Sequence, residues 1–368
     1  MRRARRLASW IVIAAFAAAA LMASPASAAT FVYVGNAESN DVYVLQLNQQ
    51  TGDLTVIDRT PIPGIEKPGI STPMSVSPDR RVLYVGTRGE PKIVAGFAID
   101  PTTARLKHIA NGPLADSLAY IATDRTGRFL LGASYPGHRV TVNPIASPGR
   151  VSPPQQVLEN YPNAHAIFAD AANRFVLVPT LGNDRVNQFA FDATTGKLTP
   201  TASPAAETRP KAGPRHFVYH PNGKLVYVLG ELDGMVYVFD YNASTGDLKQ
   251  KQVVSALPAE FTGKPSAADL HITPNGRFLY GSERTSSTLA GFQIDAAAGT
   301  LTPVGSVPTE KQPRGFGIDP SGRYLLAVGQ LSHGLSSYAI DQASGKLTKL
   351  KEYPMGKNPN WVEILALP

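Results

Sequence analysis

A basic residue followed by a short apolar, β-rich run recurs along the chain. It reads RVLYVG from Arg81, RFLLGA from Arg128, RFVLVP from Arg174, KLVYVL from Lys224, RFLYGS from Arg277 and RYLLAV from Arg323. The steps are 47, 46, 50, 53 and 46 residues, and 51 residues before Arg81 stands Thr30 ahead of FVYVGN, which makes seven copies. A fixed period of this size marks an array of one supersecondary unit. Before each run stands a turn (SPDR, DRTG, ADAAN, HPNG, TPNG, DPSG). After it come an alternating strand and a hairpin, as in VNQFAFDATTGKLT, VYVFDYNASTGDLK, LAGFQIDAAAGTLT and LSSYAIDQASGKLT. The TG, AG and SG pairs supply the positive-φ residues that such turns need. Period-2 alternation dominates and no amphipathic helical pattern persists. Four short strands in each of seven copies predict an all-β, seven-bladed β-propeller with four-stranded antiparallel blades, a single domain over residues 29–368.

Closure of the ring is also legible. Interior copies begin with an inner-strand segment such as GPRHFVYHP or QPRGFGIDP, which the first copy lacks; the chain ends with NPNWVEILALP, which supplies it. The C-terminal strand is expected beside the N-terminal one, closing the ring and removing open edges. The Pro-rich stretches at 61–73, 148–154 and 200–214 then read as blade connections.

Residues 1–28 read as a signal peptide: basic MRRARR, an apolar run from Leu7 to Met22, and Ala26-Ser27-Ala28 as the cleavage pattern. A periplasmic or secreted protein follows, with no membrane span after signal removal. Losing Arg2, Arg3, Arg5 and Arg6 lowers the net charge from +7 to +3, and no Lys/Arg cluster remains to track a phosphate backbone, which argues against nucleic acid. With no Cys in the sequence, disulfides, thiolate catalysis and Cys-based metal sites are excluded. No cofactor motif is present, and a monomer is expected.

In a propeller the inner strands line a central channel, and the loops that lead into them form one mouth. Aligned on the basic anchor, Arg215 is level with Thr72, Ala119, His165, Ala268, Arg314 and Asn360. A structural position in a repeat tends to hold one residue type; this one holds His165, Arg215, Arg314 and Asn360 in four copies, with Asp269 one residue on. A second register, seven residues after the anchor, holds Ala37, Arg88, Tyr135, Leu181, Glu231, Arg284 and Gln330. An antiparallel second strand ends where the first begins, so both registers face the same mouth. The expected cluster is Arg88, His165, Arg215, His216, Glu231, Asp269, His271, Arg284, Arg314 and Gln330. Arginines outnumber carboxylates there, which favours an anionic or polyoxygenated ligand. Polar residues at loop edges vary in any repeat protein; convergence from several blades on one mouth sets these apart.

His108 and His138 fall in neither register and read as surface residues. His220 starts the turn HPNG where other copies have Ser77, Thr273 or Asp319, and reads as a turn cap. Along a strand His216 and His220 lie ~13 Å apart, too far to share one metal ion. No GxSxG elbow, Walker loop or zinc motif occurs.

At these residues the chain resembles the seven-bladed β-propeller lactonases typified by bacterial 6-phosphogluconolactonase of the propeller type, a superfamily that includes fungal carboxy-cis,cis-muconate cyclase. The resemblance spans about residues 30–368 and rests on SPDRRVLYVGTR, GPRHFVYHP, GEL, ADLHITPNGRFLY, ERTSS, QPRGFGIDPSGRYLLAVGQLSH and the closing strand with Trp361. It implies proton transfer by His165 and Glu231, with Arg215 and Arg284 holding carboxylates. It departs in one motif, GEL in place of NEL, and in the signal sequence, since 6-phosphogluconolactone is cytoplasmic. A small-molecule lactone or anionic metabolite is the implied partner. In this reading Arg88, His216, Asp269, His271, Arg314 and Gln330 bind substrate. A non-catalytic envelope-binding propeller and a lactone-forming cyclase are the alternatives.

Overall fold

The computed structural model describes residues 29–368, so the stretch expected to be a signal peptide, 1–28, lies outside the described residues. Seven antiparallel sheets follow one another around a central channel. The blade that opens the chain takes its inner strand from the C-terminus: Pro359–Leu367 pairs with Ala29–Asn36, running from Ala29 opposite Leu367 to Gly35 opposite Trp361. Asp41–Leu47 and Leu54–Pro61 complete it. The next six blades start at the inner strands Met74–Val76, Leu118–Thr123, Phe168–Ala169, Pro214–Tyr219, Ala267–Ile272 and Pro313–Ile318, and each runs outward in chain order. The third blade is irregular at its rim, where Arg150–Val151 and Gln156–Glu159 both pair with Arg139–Ser147. The one helical element among the described residues is the 3-10 turn Leu181–Asn183, and no described helix is long and apolar enough to cross a membrane.

The repeated apolar run is the second strand of each blade. Val82–Gly86, Leu225–Gly230, Phe278–Glu283 and Tyr324–Gly329 are buried along their whole length. Neighbouring blades cover both of their faces, so apolar residues fill both side-chain rows instead of alternating. The outermost strands, such as Leu347–Pro354, are mostly exposed.

The basic anchor is an inter-blade tie. The guanidinium of Arg128 donates to Ala193 O in the hairpin of the next blade; Arg174 donates to Ala243 O (2.5 Å), Arg277 to Gln342 O (2.8 Å) and Arg323 to Gln49 Oε1 (2.8 Å). Each also lies over the aromatic ring that follows it, 5.2 to 5.9 Å from the centroid. That ring packs on the hairpin glycine of the next blade: a Cβ on Gly345 would overlap Phe278, and φ there is +72°. Basic residue, aromatic and hairpin Gly thus recur together because they form one joint.

Candidate active site

Each inner strand starts at the mouth, and in five blades it starts with a β-bulge. The register shifts between Pro214 and His216, Ala267 and Leu270, Pro313 and Gly315, Leu118 and Tyr120, and across Pro359 and Trp361. The residues left outside the ladder include Arg215, Arg314, Ala119 and Asn360, members of the divergent register. Bulges commonly re-aim a side chain beside an active site. Here the bulge frees one residue per blade from strand alternation at the point where the channel opens.

Arg215 is 1% exposed. Its guanidinium donates to Ala268 O of the next blade, and Nε stands 2.8 Å from Glu231 Oε2. Arg284 Nη2 is 3.0 Å from Glu231 Oε1. These are charge pairs without aligned N–H bonds, since neither Arg215 Nε nor Arg284 Nη2 points a hydrogen at the carboxylate. Backbone bonds fix Glu231 between two blades: its N–H donates to Gly213 O (2.8 Å) and its carbonyl accepts from Ala267 N (3.0 Å). Arg284 is held by Ser266 O, 2.9 Å from Nε. Burial raises the Glu231 carboxyl, but Arg215, then Arg284 and Arg314, override it and leave the group below the ordinary range. Burial and the nearby Arg284 bring the Arg215 guanidinium down to about 10.

Arg314 has neither a side-chain hydrogen bond nor an ion pair among the described residues. Burial, then Arg215, Arg284 and Arg88, press its guanidinium well below the usual value. Arg88 donates from Nε to Ser117 Oγ (3.3 Å), and burial lowers it too. Three guanidinium groups, of Arg215, Arg284 and Arg314, thus act on the Glu231 carboxylate, with Arg88 close to Arg314, so an anion there would be favoured.

His165 and His216 lie beside this cluster with ring centroids 5.3 Å apart. His165 is buried against Tyr135 (5.7 Å), and its Nδ1 has no partner. Burial, then Arg215, His216, Arg314 and Arg88, hold it neutral. His216 Nδ1 is 2.8 Å from Asp269 Oδ1, and its Nε2 is buried without a partner. Asp269 Oδ2 is met by His271 Nε2 (3.1 Å) and Phe316 N (3.0 Å).

The registers expected from the sequence thus converge, with two refinements. His271 sits deeper than the arginines, facing the channel. Gln330 is engaged at both ends of its amide, by Gln312 Nε2 at 3.2 Å and Asn358 Oδ1 at 2.8 Å, so it braces the loop between blades. His220 caps its turn as expected: Nδ1 accepts from Asn222 N (3.0 Å) and Nε2 meets Gly276 O (3.0 Å) of the next blade. His108 is exposed, bonded to Asn111. His138 accepts from Asn163 N, a loop contact.

Below the mouth a cavity of about 210 Å³ is lined by Tyr120, Phe168, His216, Asp269, His271, Trp361 and Glu363, among others. Tyr120, His216, Asp269 and Trp361 are one residue after the divergent register, and Phe168, His271 and Glu363 are three after it. Glu363 had not been expected at the site. Its signal was present, since its counterparts are Ser75, Ala122, Phe168, Val218, His271 and Gly317, and only His271 shares its ionisable character. Burial pushes the Glu363 carboxyl up to about 7, against a 2.9 Å bond from Trp361 Nε1 and the influence of His271.

A closed propeller with a cationic mouth, the buried carboxylates of Glu231 and Asp269 and two neutral imidazoles is suited to a small, oxygen-rich ligand. The chain belongs to the seven-bladed β-propeller lactonase family, whose model (Lactonase, 7-bladed beta-propeller) matches residues 31–364. Two relatives named 6-phosphogluconolactonase, from Pectobacterium carotovorum and Serratia proteamaculans, are 40% and 44% identical over 288 residues, 78% of this chain and 84% of each relative. Among solved structures, the periplasmic gluconolactonase of Pseudomonas aeruginosa superposes with a TM-score of 0.83 at 26% identity, covering 92% of this chain and 100% of that one. A putative 6-phosphogluconolactonase from Bacteroides fragilis does so with the same score and identity, over 93% and 99%.

Proposed function

We propose that the protein is an exported lactonase that opens a sugar lactone, or a related lactone bearing anionic or hydroxyl groups, by attack of water at the mouth of the propeller. The observation that carries this reading is Arg314, a cation without a protein partner beside the Arg215–Glu231–Arg284 cluster and two neutral imidazoles. Arg314 and Arg88 are free to stabilise the oxyanion that forms when water adds to the ester carbonyl. Arg215 and Arg284, tied to Glu231, set the shape and charge of the wall. The proton of the attacking water needs a base. Glu231 fits that role poorly, because Arg215 and Arg284 occupy both its oxygens and lower its basicity; an imidazole with a buried, unpartnered ring nitrogen fits it better, and the family resemblance points to His165. His271, Asp269 and His216 offer acceptors and donors to ring hydroxyls.

The signal sequence and the likeness to a periplasmic gluconolactonase favour an unphosphorylated substrate outside the cytoplasm. The relatives named 6-phosphogluconolactonase favour the phosphorylated one. Purified mature protein tested on gluconolactone, its 6-phosphate and a carboxymuconolactone, with spontaneous opening subtracted, separates them. Turnover of the first above the other two is expected. Binding without opening would indicate a non-catalytic propeller, and formation of lactone from open acid a cyclase.

A further inference from the structure

We propose that the His216–Asp269 pair is the general base of this reaction, with His216 Nε2 accepting the proton of the attacking water and His165 holding that water from the other side. The inference rests on the lactonase reading above and goes beyond it by moving the proton acceptor to a residue first read as a substrate contact.

Asp269 is fixed from four directions. Oδ1 accepts from His216 Nδ1 (2.8 Å) and Leu270 N (2.9 Å), and Oδ2 meets His271 Nε2 (3.1 Å) and Phe316 N (3.0 Å). Burial works against its charge, but His271 and His216 hold it ionised, well below the usual carboxylate range. An ionised carboxylate only accepts, so the facing Nδ1 of His216 carries the hydrogen and Nε2 keeps its lone pair. That lone pair is buried and has no partner among the described residues, and the ring lines the cavity under the mouth. Tyr120 (5.3 Å) and Trp361 (6.1 Å) close around the ring, leaving His165 (5.3 Å), whose Nδ1 is likewise unpartnered, on the side of the arginines. Two buried ring nitrogens without partners among the described residues therefore lie on neighbouring imidazoles, 5.3 Å apart between centroids and tilted by 59°, which leaves both open to one small donor such as water.

The two rivals lack what this pair has. Glu231 is clamped between guanidinium groups, and no carboxylate orients His165. The charged and titratable groups facing His216 are Asp269, Arg215, Arg314, His165 and Tyr120, with His271 and Glu363 behind Asp269. Burial and Arg215 lower His216 to about 4 in the free protein, while Asp269 opposes them. The oxyanion that forms against Arg314 cancels one opposing charge, so His216 becomes a stronger base as water adds to the carbonyl.

In the reaction a water O–H bond breaks, its proton goes to His216 Nε2 and its oxygen bonds to the lactone carbonyl carbon. The oxyanion so formed lies against Arg314. Collapse re-forms the carbonyl and breaks the bond between the carbonyl carbon and the ring oxygen, which takes the proton from Nε2. The product is the open hydroxy acid, and His216 is restored.

The test compares H216A, D269N and H165A with wild type on the lactone that wild type opens, with thermal melts to confirm folding. D269N keeps the shape and removes the charge. H216A and D269N should each lower kcat by about 10²-fold or more with little change in KM, and H165A less. Added imidazole should restore part of the H216A activity and none of the D269N loss. The acid limb of kcat/KM should persist in H165A and vanish from the residual activity of H216A. Independently of turnover, nitrogen-15 spectra should show His216 Nε2 unprotonated at neutral pH. A folded H216A within threefold of wild type, or a protonated Nε2, overturns the proposal alone; a wild-type protein that opens no lactone overturns the lactonase reading and this proposal with it.

Discussion

The two ends of the channel are built from one repeat and behave in opposite ways. At the turn end five copies solve the same problem alike. Asp124 Oδ1 accepts from the backbone N–H of Arg128 and Phe129 (2.8 and 2.9 Å), and Asp319 Oδ1 from Arg323 and Tyr324 (2.8 and 2.7 Å). Asp170, Ser77 and Thr273 repeat the pattern, whereas the His220 imidazole accepts from Asn222 N, two residues on. Arg128, Arg174, Arg277 and Arg323 there reach the next blade and find partners. At the mouth the copies diverge, and they leave a guanidinium and two imidazole nitrogens without protein partners. The same scaffold is thus uniform and satisfied where it only holds blades together, and varied and unsatisfied where a ligand is to be met.

That contrast can be broken at either end. The largest effect on stability should come from E231A, which strands Arg215 in the interior without its paired carboxylate; a loss of about 3–5 kcal/mol is expected in denaturant unfolding. A loss below ~1 kcal/mol would mean that water reaches Arg215 and that the mouth is not the dry charge cluster described. At the turn end D319A should cost about 1–3 kcal/mol by leaving three backbone donors unmet, with kcat/KM unchanged; loss of activity there would show that the two ends are coupled. Glu363 gives a pH-dependent test. Its folded pKa is raised to about 7 from an ordinary 4.5, so its contribution to stability is full below ~4.5 and is lost as pH rises through 7. E363Q should therefore match wild type in melts at pH 4 and exceed it at pH 8, and equal melting at both would contradict the burial of that carboxyl. The smallest effect, under ~1 kcal/mol, is expected for R277A, which removes an exposed tie to Gln342.

Much of this was legible in the chain. Seven copies, their strand order and the closing strand follow from spacing and from NPNWVEILALP, because a propeller repeats its burial pattern blade by blade. The divergent register picked out Arg215, His165 and Arg314 for the same reason. What spacing hides is depth along the channel. Bulges at Arg215 and Arg314 set those side chains apart from strand alternation, so His216 and Asp269, one residue on, line the channel beneath them. Gln330 reads as a substrate contact, and its engagement by Gln312 and Asn358 cannot be seen in the spacing because these partners come from a loop and from another blade. Glu363 was passed over because its strand was read for closure alone.

The most direct test of the mouth as the reaction site is R314M, assayed for lactone opening and for melting temperature together. Arg314 has no partner to lose and three like charges nearby, so melting should stay unchanged or rise while kcat/KM falls by about 10²–10³-fold, the usual cost of removing one oxyanion donor. Wild-type kcat/KM in R314M, or a lowered melting temperature that accounts for the loss, would contradict it.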